Sequence, residues 1–346
     1  MARPNDTSFY RTLPLSSDPD LRRGFMVVNE PLLGNLRFGK FLEALDKMAE
    51  DTALNYVRQF YPEARVVTAA IDEILIKNAA DVDRDIVLSA RINHIGRTSM
   101  EVGIHVEHPG DPSLHIASCF FTMVARVGVG EESKSVTIPG LEYVDEQEQK
   151  RFNNAIASRA AFRSEENAAL EPPCREEFEL LNSLHHAQEE PDFNGLLASK
   201  LVADSWERMY PVKENVPTTI FGGYLVRKAY ELSSICAELV APNRPVIAAV
   251  NRINFFHPVR LGDKLHYTTR VVYTGKTSLA VEATIRRISR DRTSQALSNS
   301  CLSTFVNVDK NLVPQPVPTI YPATFKEDAR YLAAYRRNKG YGRHLH

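Results

Sequence analysis

Val67-Thr-Ala-Ala-Ile71 recurs later in the chain as Ile247-Ala-Ala-Val250, and Gly96-Arg-Thr-Ser99 recurs as Gly275-Lys-Thr-Ser278. The same offset of 179 residues separates both pairs. Because the two motifs keep their spacing within each copy, they belong to one long repeat. The sequence therefore predicts a tandem duplication.

The repeat extends on both sides of these motifs. Upstream, Phe38-Gly-Lys-Phe-Leu42 matches Phe221-Gly-Gly-Tyr-Leu225, and downstream, Ser118-Cys-Phe-Phe-Thr-Met-Val124 matches Ser300-Cys-Leu-Ser-Thr-Phe-Val306. Each copy then spans roughly 90 to 110 residues, which is an ordinary domain size. A solenoid needs three or more shorter units. We therefore expect two similar domains.

Composition excludes several classes of protein. The chain has 346 residues, of which 43% are apolar, so it can bury large cores. Its 42 basic and 43 acidic residues give a net charge of −1, so no overall field attracts nucleic acid or an anionic membrane. No apolar stretch approaches the about 18 residues of a membrane span, so we expect a soluble protein. The four cysteines lack metal-site or disulfide spacing, so we expect neither a zinc site nor a disulfide framework.

Each copy has the pattern of one amphipathic helix followed by four strands. In the first copy the helix is predicted from Arg37 to about Tyr61, with strands near 65–77, 84–94, 98–108 and 114–127. In the second copy it is predicted from about Ile220 to Val240, with strands near 246–257, 263–274, 277–289 and 296–308. This is an α+β layout in which an antiparallel sheet wraps one helix. The open sheet edges favour pairing of the two copies edge to edge.

The flanking segments complete the predicted domain organisation. Residues 1–20 are expected to form an N-terminal extension, 21–127 the first domain, 128–197 a linker with helices near 144–168 and 174–188, 198–308 the second domain, and 309–346 an extended C-terminal tail.

The predicted helix starts are candidate binding sites. Phe221-Gly-Gly223 begins the second helix, and Phe38-Gly39 lies at the same place in the first. Free N–H groups and the positive end of the helix dipole stabilise negative charge, as on the oxygen of a reacting carbonyl. The alternative is that glycine only fits a tight turn before the helix.

Asp46 is the foremost candidate acid. It lies at the edge of the apolar stripe, between Leu42 and Ala49, where burial raises the pKa of a carboxyl group. The alternative is an ion pair with Lys47 or Arg37.

The second helix has different chemistry at the matching place. It offers Tyr230 and Glu231, and a surface ion pair with Lys228 is a sufficient explanation for Glu231. Asn215 and Thr218 precede this helix and Asn35 precedes the first; these side chains either orient a water or cap the turns.

The two Gly-[Arg/Lys]-Thr-Ser turns display one cation each, Arg97 and Lys276. They can bind a phosphate or serve as solvated hairpins.

Longer motifs add a resemblance to a known family. They are Ile220-Phe-Gly-Gly-Tyr-Leu-Val-Arg-Lys-Ala-Tyr-Glu-Leu232, Phe255-Phe-His-Pro-Val-Arg-Leu-Gly-Asp263 and Gly96-Arg-Thr-Ser-Met-Glu-Val102. These motifs resemble those of acyl-CoA thioesterases with two HotDog domains in one chain. Arg37-Phe-Gly-Lys-Phe-Leu-Glu-Ala-Leu-Asp46 and Val67-Thr-Ala-Ala-Ile-Asp72 narrow the resemblance to the mitochondrial acyl-CoA thioesterase 9 and 10 group. It covers roughly residues 7 to 335.

The resemblance implies a double HotDog fold and hydrolysis of acyl-CoA to free fatty acid and CoA. It implies no cofactor, because coenzyme A is part of the substrate, and a homo-oligomer, a trimer of double-HotDog chains. It also implies a mitochondrial location, although the N-terminus shows no transit peptide and a cytoplasmic location stays open.

Roles for individual residues follow from the same resemblance. Asp46 matches the helix acid of the family and Asn215 its polar partner, while Asn35 and Glu231 form a weaker second catalytic pair. Substrate-binding positions are expected at the helix starts and the two turns: Phe221, Gly222, Gly223, Thr218, Gly39, Arg97, Thr98, Ser99, Lys276, Thr277 and Ser278.

The chain departs from the family pattern in two places. Tyr230 stands where related enzymes often have Asp, and Lys40 replaces the second glycine of the first copy. Two other functions were weighed. A HotDog hydratase or dehydratase usually needs a His near the acid in a pattern that is absent here, and a non-catalytic acyl-CoA-binding protein would lack the need for Asp46.

Overall fold

The computed structural model describes residues 2–110, 115–128, 132–168, 171–216, 219–220, 222–251 and 253–341, without the side chains of 73, 161–168, 213–216, 219–220 and 340–341. Six α-helices lie within these ranges: α1 Pro19–Phe25, α2 Phe38–Val57, α3 Glu146–Ala168, α4 Arg175–Gln188, α5 Gly222–Glu238 and α6 Phe325–Tyr341. None of the helices described is long and apolar enough to cross a membrane.

Sixteen strands are described over the same ranges. They are β1 Phe9–Leu13, β2 Arg65–Ile76, β3 Ile86–Ile95, β4 Ser99–Glu107, β5 His115–Val127, β6 Lys134–Ser135, β7 Leu196–Leu197, β8 Val202–Arg208, β9 Glu214–Val216, β10 Thr219–Ile220, β11 Arg244–Val250, β12 Ile253–Phe255, β13 Lys264–Thr274, β14 Ser278–Ile288, β15 Gln295–Val308 and β16 Ile320–Tyr321.

Twelve of these strands form one antiparallel sheet that runs through both copies of the repeat. Its order is β1-β3-β4-β5-β2-β11-β15-β14-β13-β8, with β12 beside β2 and β15 and with β6 beside β5. The copies join where β2 pairs with β11 and β12, for example at Ile74 with Val250 and at Ile71 with Ile253. This is the predicted edge-to-edge pairing, and the prediction of a double HotDog fold is confirmed.

The two long helices, α2 and α5, lie on the same face of the sheet, one over each half. Each has apolar residues at three- and four-residue steps, so it buries a continuous stripe against the strands. The α2 stripe is fully enclosed at Phe41, Leu42, Leu45, Met48, Ala49 and Ala53. The helices also pack against each other in antiparallel fashion, since Gly39 lies against Tyr230 while Asp46 contacts Gly223.

The residues of α2 and α5 correspond at an offset that is one residue larger than in the predicted alignment of the two copies. Because Gly39 lies against Tyr230 as Gly223 lies against Asp46, Gly39 takes the position of Gly223. The interpretation that Lys40 replaces the second glycine is therefore wrong, and Phe38 instead stands in place of the first glycine.

Short strands outside the repeat extend each half by one edge strand. The predicted N-terminal extension contributes β1, which pairs with β3 from Phe9 opposite Ala90 to Leu13 opposite Ile86. At the opposite edge, β8 pairs with β13. The first linker helix, α3, packs against β3 through Phe152, whose ring lies 5.3 Å from that of His94.

The prediction of an extended C-terminal tail is wrong beyond residue 324. Helix α6 forms there and packs against β13, with the rings of Tyr331 and Tyr273 5.2 Å apart. It also binds α4 through an ion pair of 2.7 Å between Arg336 and Glu177. The prolines of this segment all precede Ala323, so none of them interrupts the helix.

Candidate active site

Asp46 is completely buried at the contact between the two halves of the molecule, with 0% of its surface exposed. Its Oδ1 atom accepts a hydrogen bond of 2.6 Å from the hydroxyl of Thr68 on β2. Its Oδ2 atom accepts another of 2.6 Å from the backbone N–H of Gly223 in the first turn of α5. A carboxyl group of the first half is thus held by the helix N-terminus of the second half.

Burial has the largest effect on the acidity of Asp46 and raises the pKa of its carboxyl to about 6. The hydrogen bonds from Thr68 and Gly223 lower the pKa by smaller amounts. Among the described side chains, no cation forms an ion pair with the Asp46 carboxyl. Lys47 binds two other acids of α2, and Arg37 binds Glu231. The alternative interpretation of Asp46 as one half of an ion pair with Lys47 or Arg37 is wrong.

The start of α5 leaves little room for a side chain. A Cβ atom added at Gly222 would lie 3.2 Å from the ring of Phe255 and 3.5 Å from Oδ2 of Asp46. The first N–H groups of any α-helix have no acceptor within the helix. That of Gly223 is directed at Asp46. Backbone donors and a buried carboxyl group therefore lie side by side.

Three predicted site residues precede this helix start. Asn215 belongs to β9, which pairs with β10 in a short hairpin that leads into α5. The side chain of Asn215 is outside the description, and Thr218 and Phe221 lie outside the described residues altogether. Their roles stay predictions.

The two halves also contact each other where Gly39 of α2 lies against Tyr230 of α5. This second contact carries no acid at the place that corresponds to Asp46. Tyr230 takes that position, and its ring packs against Phe38 and Phe305 at centroid distances of 5.0 and 5.9 Å. Ile247 stands where the first half has Thr68, since both residues precede the same β-bulge. Both polar groups of the first site are thus replaced by largely apolar side chains.

Asn35 and Glu231 are not brought together as a pair. Asn35 makes four hydrogen bonds with the backbone of residues 27–30, which stabilise the loop before α2. Glu231 accepts hydrogen bonds from Arg37 and Arg227, both within 3.0 Å. The predicted ion pair of Glu231 with Lys228 is replaced by these two contacts.

The two Gly-[Arg/Lys]-Thr-Ser motifs form hairpin turns, as predicted. Arg97 and Lys276 are exposed, and the Thr and Ser side chains of both turns are half-buried. One row of paired residues leads from the 96–99 turn across β5 to Val67, which precedes Thr68. In the second half, the equivalent row of paired residues leads from the 275–278 turn across β15 to Val246, which precedes Ile247 at the second contact. The two turns therefore lie on rows that lead to different contacts between the halves.

Thr68 is the site residue that the sequence interpretation missed. The repeat carried a signal for it, because Asp46 and Thr68 are both polar in the first copy while Tyr230 and Ile247 replace them in the second. A joint change at two distant positions indicates that they share one environment.

Known proteins similar to this chain were found at three levels. A family model described as the thioesterase superfamily matches residues 218–293. The mitochondrial acyl-coenzyme A thioesterase 9 of Homo sapiens is 27% identical, over 96% of this chain and 77% of its own length. The mitochondrial acyl-coenzyme A thioesterase 10 of Mus musculus is 26% identical, over 94% and 76%. An acyl-CoA hydrolase structure from Bacillus cereus is 27% identical, covers 42% of this chain and 89% of that chain, and has a TM-score of 0.41.

Proposed function

Since the chain is a relative of the mitochondrial acyl-CoA thioesterases 9 and 10 along nearly its whole length, we propose that it hydrolyses fatty acyl-CoA to free fatty acid and CoA. The chain is an acyl-CoA thioester hydrolase with its reaction at one of the two contacts between its halves. The observation that carries this assignment is the hydrogen bond between Asp46 and the N-terminus of α5.

Asp46 acts as the general base. Each carboxylate oxygen has two acceptor directions, so Oδ1 and Oδ2 can each bind a water beside their present donors. A carboxyl pKa of about 6 leaves the group ionised at neutral pH, yet more basic than an exposed aspartate. Asn215, on the hairpin before α5, aligns the attacking water. Direct attack by the carboxylate is the less favoured route.

The helix N-terminus stabilises the oxygen of the attacked thioester. A Cβ atom added at Gly222 would lie 3.5 Å from Oδ2 of Asp46, so a thioester carbonyl that takes this space beside the base also lies beside the first N–H groups of α5. Donors of this kind contribute about 3 kcal/mol each to the transition state. The N–H of Gly223 already binds Asp46, so its part is to hold the base in position.

The proposed reaction needs no cofactor, because the substrate, one water and Asp46 supply every atom and proton. The water oxygen bonds to the acyl carbon while Asp46 takes its proton, and the carbonyl becomes a tetrahedral oxyanion. As that intermediate collapses, the carbon–sulfur bond breaks and the protonated Asp46 returns the proton to the departing sulfur. The products are the carboxylic acid and the thiol of CoA. Arg97, on the turn whose row of paired residues leads to the contact with Thr68, is proposed to bind a phosphate of CoA.

Location is proposed from the relatives' names, and assembly from the resemblance to double-HotDog enzymes. The chain is expected to act in mitochondria and to form a homo-oligomer of three double-HotDog chains. Exposed aromatic side chains on the edge strands, Tyr10 on β1 and Trp206 on β8, offer apolar surface for such contacts. Light scattering measures the mass of the particle, and a monomer would contradict the assembly.

Release of CoA thiol from acyl-CoAs of graded chain length, followed with a thiol reagent, tests the function. We expect release by the wild type and a loss of about 10² to 10⁴-fold in Asp46→Asn. Asp51→Asn, on the same helix, is the matched control, because that carboxylate binds Arg11 and Lys47 on the surface.

Three outcomes contradict the proposal. Tight binding of acyl-CoA without release by the wild type would indicate a non-catalytic binding protein. Undiminished release in Asp46→Asn would exclude Asp46 as the base. Hydration of an enoyl-CoA, followed by its absorbance, would instead indicate a hydratase.

A further inference from the structure

A second hydrogen bond holds the first turn of α5, and it comes from the edge of the sheet. The hydroxyl of Tyr224 donates to Oε1 of Glu207 on β8, the edge strand of the second half. Tyr224 directly follows Gly223, whose N–H binds Asp46. The helix start is therefore tied to α2 through Gly223 and to β8 through Tyr224.

The Tyr224 hydroxyl is the donor of this bond. Burial, and then the contact with Glu207, raise the pKa of the hydroxyl above its ordinary value, so it stays protonated. Its ring is 7% exposed and packs among apolar side chains between α5 and β13. The other charged groups nearby are Arg227 of α5 and Glu43 of α2, which bind each other. A hydroxyl that donates to a carboxylate makes a strong and directional contact.

The surroundings of this bond do not favour stability. Oε2 of Glu207 and the hydroxyl of Tyr267 are both enclosed, and neither has a hydrogen-bond partner among the residues that the structure describes. A buried polar group without a partner destabilises the folded state, and replacing both members of a buried polar pair by apolar groups is often neutral or stabilising. Stability alone therefore does not account for Glu207.

The first half has an apolar residue at the position that matches Glu207. Counted from the β-bulge that β3 and β13 share, Leu265 corresponds to Ile86. Ile86 pairs with Leu13 of β1, whereas Leu265 pairs with Glu207 of β8. Leu13 is buried in the apolar core of the first half. An apolar side chain is thus sufficient for the fold at this place.

The start of α2 differs from that of α5 in the same way. Lys40 takes the position of Tyr224, one residue after the matched glycines, and binds Glu43 of its own helix instead of an edge strand. The acid Asp46 and the bond to the edge strand therefore occur at the same contact between the halves, and both are replaced at the other.

We propose that Tyr224 and Glu207 are positioning residues, which fix the first turn of α5 so that its N–H groups meet Asp46 and the thioester oxygen. This inference rests on the proposed function, because it requires the thioester to react beside Asp46. Hydrogen bonds weaken steeply when their donors are misaligned, and a displacement of about 1 Å at a reacting centre can cost about 10²-fold in rate. Neither residue needs to touch the substrate.

The test is Tyr224→Phe, which removes the hydroxyl and keeps the ring. The quantities measured are kcat and KM, over a range of pH, for the acyl-CoA that the wild type hydrolyses fastest. We expect kcat to fall by about tenfold or more and KM to change little, because the lost interaction acts on the reacting geometry. The acid limb of kcat/KM should also shift to higher pH, since a misaligned N–H of Gly223 lowers the pKa of Asp46 less.

Variants of Glu207 test whether the two residues act as a pair. Glu207→Leu, which introduces the residue of the first half, should lower kcat as Tyr224→Phe does, and the double variant should lose no more than either single variant. Glu207→Gln keeps an acceptor for the hydroxyl and should retain most of kcat. Tyr267→Phe is the matched control with an unchanged kcat, because it removes a hydroxyl of the same cluster that has no described partner.

Urea unfolding distinguishes positioning from support of the fold. The double variant Tyr224→Phe/Glu207→Leu should be at least as stable as the wild type while its kcat stays low, because no buried polar group of the pair is left alone. A double variant that unfolds more easily, together with an acid limb that does not move, would assign the pair to the fold only.

The remaining failures are distinguishable from each other. If the wild type releases no CoA from any acyl-CoA, the proposed function fails. If the wild type is active and Tyr224→Phe keeps its kcat and pH profile, only the positioning role is overturned. Should Tyr224→Phe not fold, Glu207→Leu allows the same comparison, with the same expected fall in kcat and the same shift of the acid limb.

Discussion

The Oδ2 atom of Asp46 lies 2.6 Å from the backbone nitrogen of Gly223, and this hydrogen bond joins the central helix of one half to the N-terminus of the other. Neither half contains both groups. Covalent duplication therefore has a chemical consequence, because it keeps the buried carboxyl group and the backbone donor that binds it in one chain. The enclosed position also removes the carboxylate from water, which is why its pKa rises.

The buried carboxylate should destabilise the protein at neutral pH. Its pKa is about 6 in the folded state against 3.8 in an exposed aspartate. The folded state thus holds the proton more tightly, and the free energy of unfolding falls as pH rises from about 4 to about 6. The total loss is about 3 kcal/mol, since one pKa unit corresponds to about 1.4 kcal/mol.

Asp46→Asn tests this expectation, because the amide fits the same space without a charge. We expect the variant to be more stable than the wild type above about pH 6 and the difference to fade near about pH 4. Urea unfolding at both pH values measures it. A stability difference that does not change with pH would contradict the raised pKa.

Thr68→Val should move the pH dependence of catalysis. The hydroxyl of Thr68 stabilises the ionised form of Asp46, and a hydrogen bond to a charged group contributes about 1.5 to 3 kcal/mol. Its removal raises the carboxyl pKa by about one unit or more. The acid limb of kcat/KM should then shift to higher pH.

Thr68→Ser is the control for this shift, because it keeps the hydroxyl. Its profile should follow the wild type. If the valine variant loses activity equally at every pH, Thr68 acts through structure and not through the ionisation of Asp46.

The two halves of the fold were predictable because each carries strong local patterns. The apolar steps of α2 and α5 and the alternation in β2 to β5 depend on neighbours in sequence, so the element bounds differ from the predictions by few residues. β1 is only five residues long and lies at an edge, where burial imposes little alternation. The C-terminal helix was missed because prolines precede it.

The candidate active site was only partly predictable for a physical reason. The position of Asp46 on the helix stripe indicated burial, but its two hydrogen-bond partners are 22 and 177 residues away along the chain. Contacts of that kind depend on how the strands and helices pair. The sequence showed that the second copy diverges, because Tyr230 replaces an acid there. It did not show that Asn35 makes its hydrogen bonds within its own loop.

Arg97 and Lys276 should differ in their effect on substrate binding. Both are exposed, but only the 96–99 turn leads across the sheet to Thr68, at the contact that carries the acid. Arg97→Ala is expected to raise KM by about two- to fivefold, as for one exposed ion pair with a phosphate. Lys276→Ala, the matched control, should leave KM unchanged.

A higher salt concentration distinguishes an electrostatic effect of Arg97→Ala on KM from a structural one. Screening weakens an exposed charge pair, so the difference between Arg97→Ala and the wild type should shrink at high ionic strength. An equal rise of KM in both variants would mean that the cations do not distinguish the two contacts between the halves.

Glu231→Gln should weaken the fold and leave catalysis intact. Glu231 accepts hydrogen bonds from Arg37 and Arg227 and is partly exposed, so loss of its charge costs about 1 kcal/mol of stability. Tyr230 fills the neighbouring position that an acid would need, so we expect no second reaction centre to depend on Glu231. We expect an unchanged kcat and a lower midpoint of urea unfolding.

Glu43→Gln, which removes another carboxylate from Arg227, should behave alike. A fall in kcat of about tenfold in Glu231→Gln but not in Glu43→Gln would assign catalytic work to the second contact.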